Sequence, residues 1–380
     1  MKSILIFTLA SSFSFMTGCK VNSAKTSVFQ KKKPHELSLA DFAKNNIKCF
    51  DRQKFKPVAV VDSHLHSRPF GGKPVPFTKL LDYMRNSGVI FATLYGIGQR
   101  LPVDSKCTYY LDCPGTPVLP SLKNDFFNAQ SLLDNPPTDL HLTLSMTFPD
   151  LSKPDTVLGQ MSLLNNEYPG MFRWMGEVNL VKQALFKNNH AAVPPQKIAE
   201  WAPFMKELRR LDIPIAFHSD IGNDSDPFKF LSLMEEVLKQ YPDNKIVWLH
   251  LGLSKELREF DKNKHVEILN SLLERYPKLT FDIAWRVLYD QVFSKERYVG
   301  PYVQLMNKWP QRFITGTDFV ASSDKTEQIY GEEVNMTSAV LARVDDVAYR
   351  QIALGQNYFD LLKLDFTAPK VCGNDPKNTF

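Results

Sequence analysis

Long runs of one character are scarce in this 380-residue chain. Charge of one sign accumulates only at Lys31, Lys32 and Lys33, inside a polar N-terminal stretch, and the formal net charge is +5. A basic run that short is typical of a solvated linker, so nucleic acid is not implied as a partner. The apolar stretch near the N-terminus is too short for a comfortable membrane span. No internal repeat is visible and no second domain separates. Cysteine is sparse, with five in all. What the chain does have is core-forming material. Apolar residues make up 43%, with 27 Phe, 13 Tyr and 5 Trp. The length suits one large domain, since α/β barrels run to ~250 residues or more.

The first twenty residues, MKSILIFTLASSFSFMTGCK, place Lys2 before a short apolar core and small residues before Cys19. Met16 to Cys19, MTGC, resembles a bacterial lipobox with Met in place of the usual Leu. That resemblance implies a lipoprotein signal peptide over residues 1–18, lipid on Cys19, export, and a membrane-anchored protein in the periplasm or at the cell surface. An ordinary signal peptide cut nearby is the alternative. Residues 19–50 read as a tether, with a short helix at Ser38–Asn46 capped by Ser38. Residues 51–368 read as the main domain and 369–380 as a C-terminal tail. With Cys19 lipidated, four cysteines remain, and an oxidising compartment allows two disulfides in three connectivities. Cys107 and Cys113 lie close together in one loop-like segment and form the favoured pair. Cys49 and Cys372 then tie the two ends of the domain. Free thiols are the other reading.

From residue 58 onward, short β-rich apolar runs alternate with amphipathic helical stretches. The strand candidates are residues 58–66, 89–97, 140–148, 172–180, 213–220, 245–252, 279–285 and 312–319. Between them, helical stretches stop at Gly88, Pro242 and Pro277. Eight strands alternating with helices predict a parallel sheet, because parallel strands need crossovers, and suggest closure into a (β/α)8 TIM barrel. The long Pro-, Gly- and Cys-containing stretch between strands 2 and 3 is expected to be an inserted loop over the barrel mouth.

The first strand ends in the sequence VDSHLH, and residues two apart on a strand share a face, so His64 and His66 project together. Imidazole is a common ligand for divalent ions. Catalytic groups of such barrels sit at the carboxyl ends of strands. There the fourth strand offers Glu177, the fifth His218, the sixth His250 and the eighth Asp318. The other four histidines, His35, His141, His190 and His265, are assigned to surface or hydrogen-bonded polar roles. Cations near strand ends, chiefly Arg286 with Arg100, Arg173 and Lys182, are candidates to anchor a substrate carboxylate. Tyr95 is a second substrate-binding candidate. Trp285 is expected to pack rather than stack on a ligand.

These pieces, VDSHLH, FHSD, LHLG and TGTDF, with the closing stretch VAYRQIALGQNYFDLLKL, resemble the amidohydrolase superfamily, and within it the amidohydrolase-related metal-dependent hydrolases. The resemblance spans roughly residues 57–365. It implies a divalent metal, zinc by expectation, as one or two ions. His64, His66 and Asp318 would hold one ion, and His218 and His250 a second. Glu177 stands where many members carry a carboxylated lysine or a bridging Glu. It implies hydrolysis of an amide, lactone or ester carbonyl of a small molecule, with Asp318 and His250 as the catalytic groups. A TatD-type phosphoesterase or nuclease, and a non-catalytic surface lipoprotein on the same barrel, are the competing readings.

Overall fold

The computed structural model describes residues 34–102, 104–107, 109 and 113–373. The expected leader and Cys19 lie outside the described residues. Eight strand-and-helix units follow one another. The strands are β1 (Val61–His66), β2 (Phe91–Tyr95), β3 (His141–Met146), β4 (Phe172–Val181), β5 (Ile215–Ser219), β6 (Ile246–Trp248), β7 (Leu279–Asp282), and an eighth in two pieces, β8 (Phe313–Ile314) and β9 (Phe319–Val320). The helices between and after them are α1 (Phe77–Ser87), α2 (Lys123–Asp134), α3 (Val157–Glu167), α4 (Ala202–Leu211), α5 (Leu231–Gln240), α6 (Lys262–Arg275), α7 (Glu296–Lys308) and α8 (Glu327–Ser338). Every pairing in the main sheet is parallel. β1, β2, β5, β6 and β7 are buried along their whole length, as expected of strands covered on both faces.

The eighth strand closes the ring by changing partners. β8 pairs with β7, Phe313 opposite Phe281, and β9 pairs with β1, Phe319 opposite Leu65. Between the two pieces, Ser63 N–H donates to Thr315 O at 2.9 Å and Asp318 N–H to His64 O at 2.8 Å. The barrel predicted from the alternating pattern is therefore present. Gly316 permits this seam: a Cβ there would stand 2.7 Å from the Cβ of His64. The predicted stop at Gly88 is also observed, in the left-handed conformation at φ 84°.

The inserted segment after β2 forms a two-residue antiparallel ribbon, Gln99–Arg100 against Leu119–Pro120. Its small apolar cluster includes Phe70, Leu101, Val118 and Leu185. Both favoured disulfides are present, Cys107–Cys113 and Cys49–Cys372. Residues 34–50, expected to belong to a tether, are instead docked on the barrel. A capping box at Ser38 and Asp41 opens a 3-10 turn, Leu39–Phe42. Phe42 is fully buried, with its ring 4.9 Å from Phe91 and 5.8 Å from Phe359. Phe91 begins β2, so this segment seals the amino end of the barrel. Cys49–Phe50 pairs in parallel with Lys370–Val371, drawing the start of the expected tail into the fold. Among the described residues, no helix is long and apolar enough to cross a membrane.

Candidate metal centre

His64 and His66 end β1 with their Nε2 atoms 3.2 Å apart. Their Nδ1 atoms are both committed. That of His64 lies 2.8 Å from Asp282 Oδ2, and that of His66 lies 2.6 Å from Gly96 O. A carboxylate and a carbonyl only accept, so each Nδ1 carries a proton and each ring turns its Nε2 inward, as the atom left to take a metal ion or, without one, a second proton. Glu177 Oε2, from β4, stands 3.6 Å from His64 Nε2 and 3.1 Å from His66 Nε2. Asp318 Oδ1, from the break between β8 and β9, stands 3.4 Å and 3.1 Å from the same two nitrogens. Four acceptors thus meet with no donor among them, and a positive species is needed between them.

A second cluster shares Glu177. Its other oxygen, Oε1, lies 2.6 Å from His218 Nδ1 and also takes the ammonium of Lys182. His218 Nε2 is held by Asp220 Oδ1 at 2.9 Å. His250, just past β6, is anchored by its backbone N–H, which donates to Asp282 Oδ1 at 2.5 Å. Its Nδ1 points to Ala284 O at 3.3 Å, and its buried Nε2 has no hydrogen-bond partner. Asp282 therefore fixes two of the histidines at once, one through the side chain and one through the main chain.

Electrostatics divide the rings. Burial alone would hold His64 neutral, but Asp318, Asp282 and Glu177 outweigh it and push its pKa up to about 10. For His250 burial wins, with His64 and His218 adding repulsion, and its pKa falls to about 4. Burial works against ionising Asp318, yet the histidines around it hold its pKa below the ordinary value. The field that draws a proton onto His64 would draw a dication more strongly, because the charge is doubled. The backbone also bends to aim these groups. His250, Trp285 and Asp318, at the ends of three successive strands, have φ of 58°, 78° and 56°. A left-handed non-glycine residue costs ~1–3 kcal/mol, and such residues gather at functional sites.

Above the centre opens a cavity of about 820 Å³, reached by His66, Asp318 and Lys182. Trp285 stands on its wall with its ring 4.9 Å from that of His250, so it faces the cavity rather than packing away from it. Arg286 lines the same cavity, half-exposed and 3.2 Å from Asp290. Tyr95 is fully buried behind His64, 4.6 Å ring to ring, and is not on the cavity wall. Arg173, near the start of β4, bonds Leu362 O at 2.9 Å, away from the strand ends that carry the centre. His265 is buried with both ring nitrogens bonded, to Tyr302 Oη and Leu251 O. Asp282 and Asp220 also belong to the site and are not among the residues expected from the sequence. Both were findable by the strand-end rule, since Asp282 ends β7 and Asp220 follows β5. Asp62, buried under Thr317 and Tyr330, steadies the seam beside His64.

Among solved structures, a zinc-bound amidohydrolase from Burkholderia multivorans superposes with a TM-score of 0.52 at 13% identity, over 80% of this chain and 99% of that one. The chain shares the barrel fold of that structure. An apo structure from Agrobacterium tumefaciens matches with a TM-score of 0.47 at 17% identity, over 83% of this chain and 95% of that one. A dihydroorotase from Saccharomyces cerevisiae in complex with 5-fluoroorotic acid matches at 0.45 and 13%, over 81% and 84%. No family model and no curated protein matches the sequence.

The donor set of this barrel can be tested against a metal directly. Four ligands ~2.1 Å from a zinc-sized ion in a tetrahedron stand ~3.4 Å apart. The five measured edges among His64 Nε2, His66 Nε2, Glu177 Oε2 and Asp318 Oδ1 run from 3.1 to 3.6 Å. All four residues are mostly buried, and the remaining ring nitrogens are held by Asp282 and Gly96, so the residues fit the group.

Proposed function

We propose that this protein is a metal-dependent hydrolase that activates water against the amide, lactone or ester carbonyl of a small anionic substrate. The observation that carries this reading is the meeting of four buried acceptors at one point without a donor. His64, His66, Glu177 and Asp318 would hold the divalent ion, with zinc the expected species from the histidine and carboxylate set. When bound, such an ion supplies Lewis acidity and brings the pKa of a water toward ~7.

The chain's own residues supply the rest. Asp318 faces the cavity and takes the proton of the attacking water, then returns it to the leaving group. His250 stays neutral and offers the lone pair of its Nε2 to a departing proton. Lys255, which has a cation–π contact to the Trp285 ring at 5.7 Å, and Arg286 stand on the cavity wall as anchors for a carboxylate. Trp285 gives the scissile group an apolar wall and excludes water beside His250. Export, with lipid on Cys19 as the anchor, is part of the same proposal. The two disulfides support it, because such bonds persist in oxidising compartments.

The test is a panel of carboxylate-bearing lactones, esters and amides, assayed with metal-stripped protein and after adding back Zn²⁺ or Mn²⁺. The proposal expects turnover of a carbonyl compound that appears only with metal. Turnover of phosphodiesters alone would move the reaction to phosphorus. Turnover unaffected by stripping would overturn the reading.

A further inference from the structure

The two donor clusters differ in one respect. The first, around His64 and His66, contains acceptors only. The second, Glu177 Oε1 with one ring nitrogen each from His218 and His250, would pass as a second ion site by ligand spacing alone. But Lys182 is already there. Its side chain is 10% exposed, and its Nζ sits on Glu177 Oε1. We propose that the Lys182 ammonium takes the place of a second metal ion, so that the centre is mononuclear by construction.

Lys182 follows β4 directly, five residues after Glu177, so the strand that delivers the shared carboxylate also delivers the cation that occupies half of it. Glu177 then has two distinct oxygens. Oε2 faces the two β1 histidines and Asp318, with no donor against it. Oε1 faces His218 at 2.6 Å and accepts from Lys182. An ion bound through Oε1 would share that oxygen with an ammonium, and two like charges on one atom repel strongly where water is excluded. Backbone ties hold Lys182 in place: its N–H reaches His190 Nε2 at 3.3 Å, and the next residue, Gln183, donates its N–H to Asp220 Oδ2 at 2.7 Å. Asp220 is the same carboxylate that holds His218, so the lysine and the unused histidine are positioned by one group. His218 and His250 are left as hydrogen-bonding groups facing the reacting centre rather than as ligands.

This inference rests on the proposed metal-dependent reading, and the experiment separates the two. Metal-stripped wild-type protein, Lys182→Met and Lys182→Arg are each titrated with Mn²⁺ alone. Bound ions per chain are counted by elemental analysis after desalting, and the bound Mn²⁺ is examined by electron paramagnetic resonance. The expected result is one isolated ion in wild type and in Lys182→Arg, which keeps the charge. Lys182→Met is expected to take two, with the broadened signal of a spin-coupled pair. Two coupled ions in wild type would overturn the inference and leave the hydrolase reading standing. One ion in both wild type and Lys182→Met would also overturn it, since the lysine would then not be what excludes the second. No bound ion in wild type would overturn the metal-dependent reading itself. Thermal unfolding of each variant shows that the comparison is made on folded protein.

Discussion

At the carboxyl ends of the strands, His64, His66, Glu177, Lys182, His218, His250, Asp282 and Asp318 crowd together, all but Asp318 nearly closed off from solvent. At the amino ends, Phe42, Phe91, Phe359 and Phe366 meet edge to face or tilted at ring distances of 4.6 to 5.8 Å. One end gathers buried charge and left-handed backbone, both of which cost stability. The other gathers aromatic contacts and a disulfide, both of which contribute it. The barrel keeps chemistry and cohesion about a strand length apart, so each can be altered without the other.

The sharpest break of that division is at the chemical end. Asp318→Asn is expected to lower turnover by roughly 100-fold or more, the scale of losing a positioned proton acceptor. It should lower the melting temperature modestly, because the histidines around Asp318 hold its pKa below the ordinary value, and the fold therefore favours the charge that Asn lacks. Steady-state kinetics beside thermal unfolding checks both halves, and a large loss of stability would blur the comparison. At the opposite end, Phe42→Ala is expected to cost about 3–5 kcal/mol, as for other fully buried aromatics. Turnover per folded molecule should not change. Chemical denaturation with an activity assay on the same samples decides it.

The Cys49–Cys372 bridge spans 323 residues of sequence. Replacing both cysteines by serine is expected to cost about 2–5 kcal/mol by releasing the unfolded chain, again without loss of turnover per folded molecule. The smallest expected signal is a slope. Asp125 is buried beside Thr147, and burial lifts its pKa from 3.8 to about 7. The folded chain then keeps a proton that the unfolded chain has released between about pH 4 and 7. Its contribution is full below that window and is lost as pH rises through it, by at most about 1.4 kcal/mol per pH unit. Asp125→Asn should flatten this part of the stability–pH curve, measured by denaturation at several pH values.

The same contrast explains what the sequence disclosed. Strand positions were legible to within a few residues, because buried parallel strands are short and apolar and the units alternate regularly. The convergence of His64, His66, Glu177 and Asp318 followed from period-two alternation and from the rule that strand ends carry chemistry. The break in strand eight was not legible, since it depends on Asp318 adopting a left-handed φ, which no residue type announces. Trp285 turned toward the cavity for the same reason. Tyr95 misled because ending a strand does not fix whether a ring faces the mouth or lies behind a neighbour. Residues 34–50 look polar in isolation, and only the burial of Phe42 and His35 against distant parts of the chain reveals that they are docked. Lys182 stood out only as one of several cations near strand ends; its contact with Glu177 is a tertiary fact.

The central claim is that a single divalent ion belongs between His64, His66, Glu177 and Asp318. Anomalous scattering at the zinc edge, from crystals grown with zinc, tests it most directly. The account predicts one peak per chain, ~2.0–2.2 Å from the two Nε2 atoms and the two carboxylate oxygens. Zinc found only elsewhere, with that point empty, would contradict it.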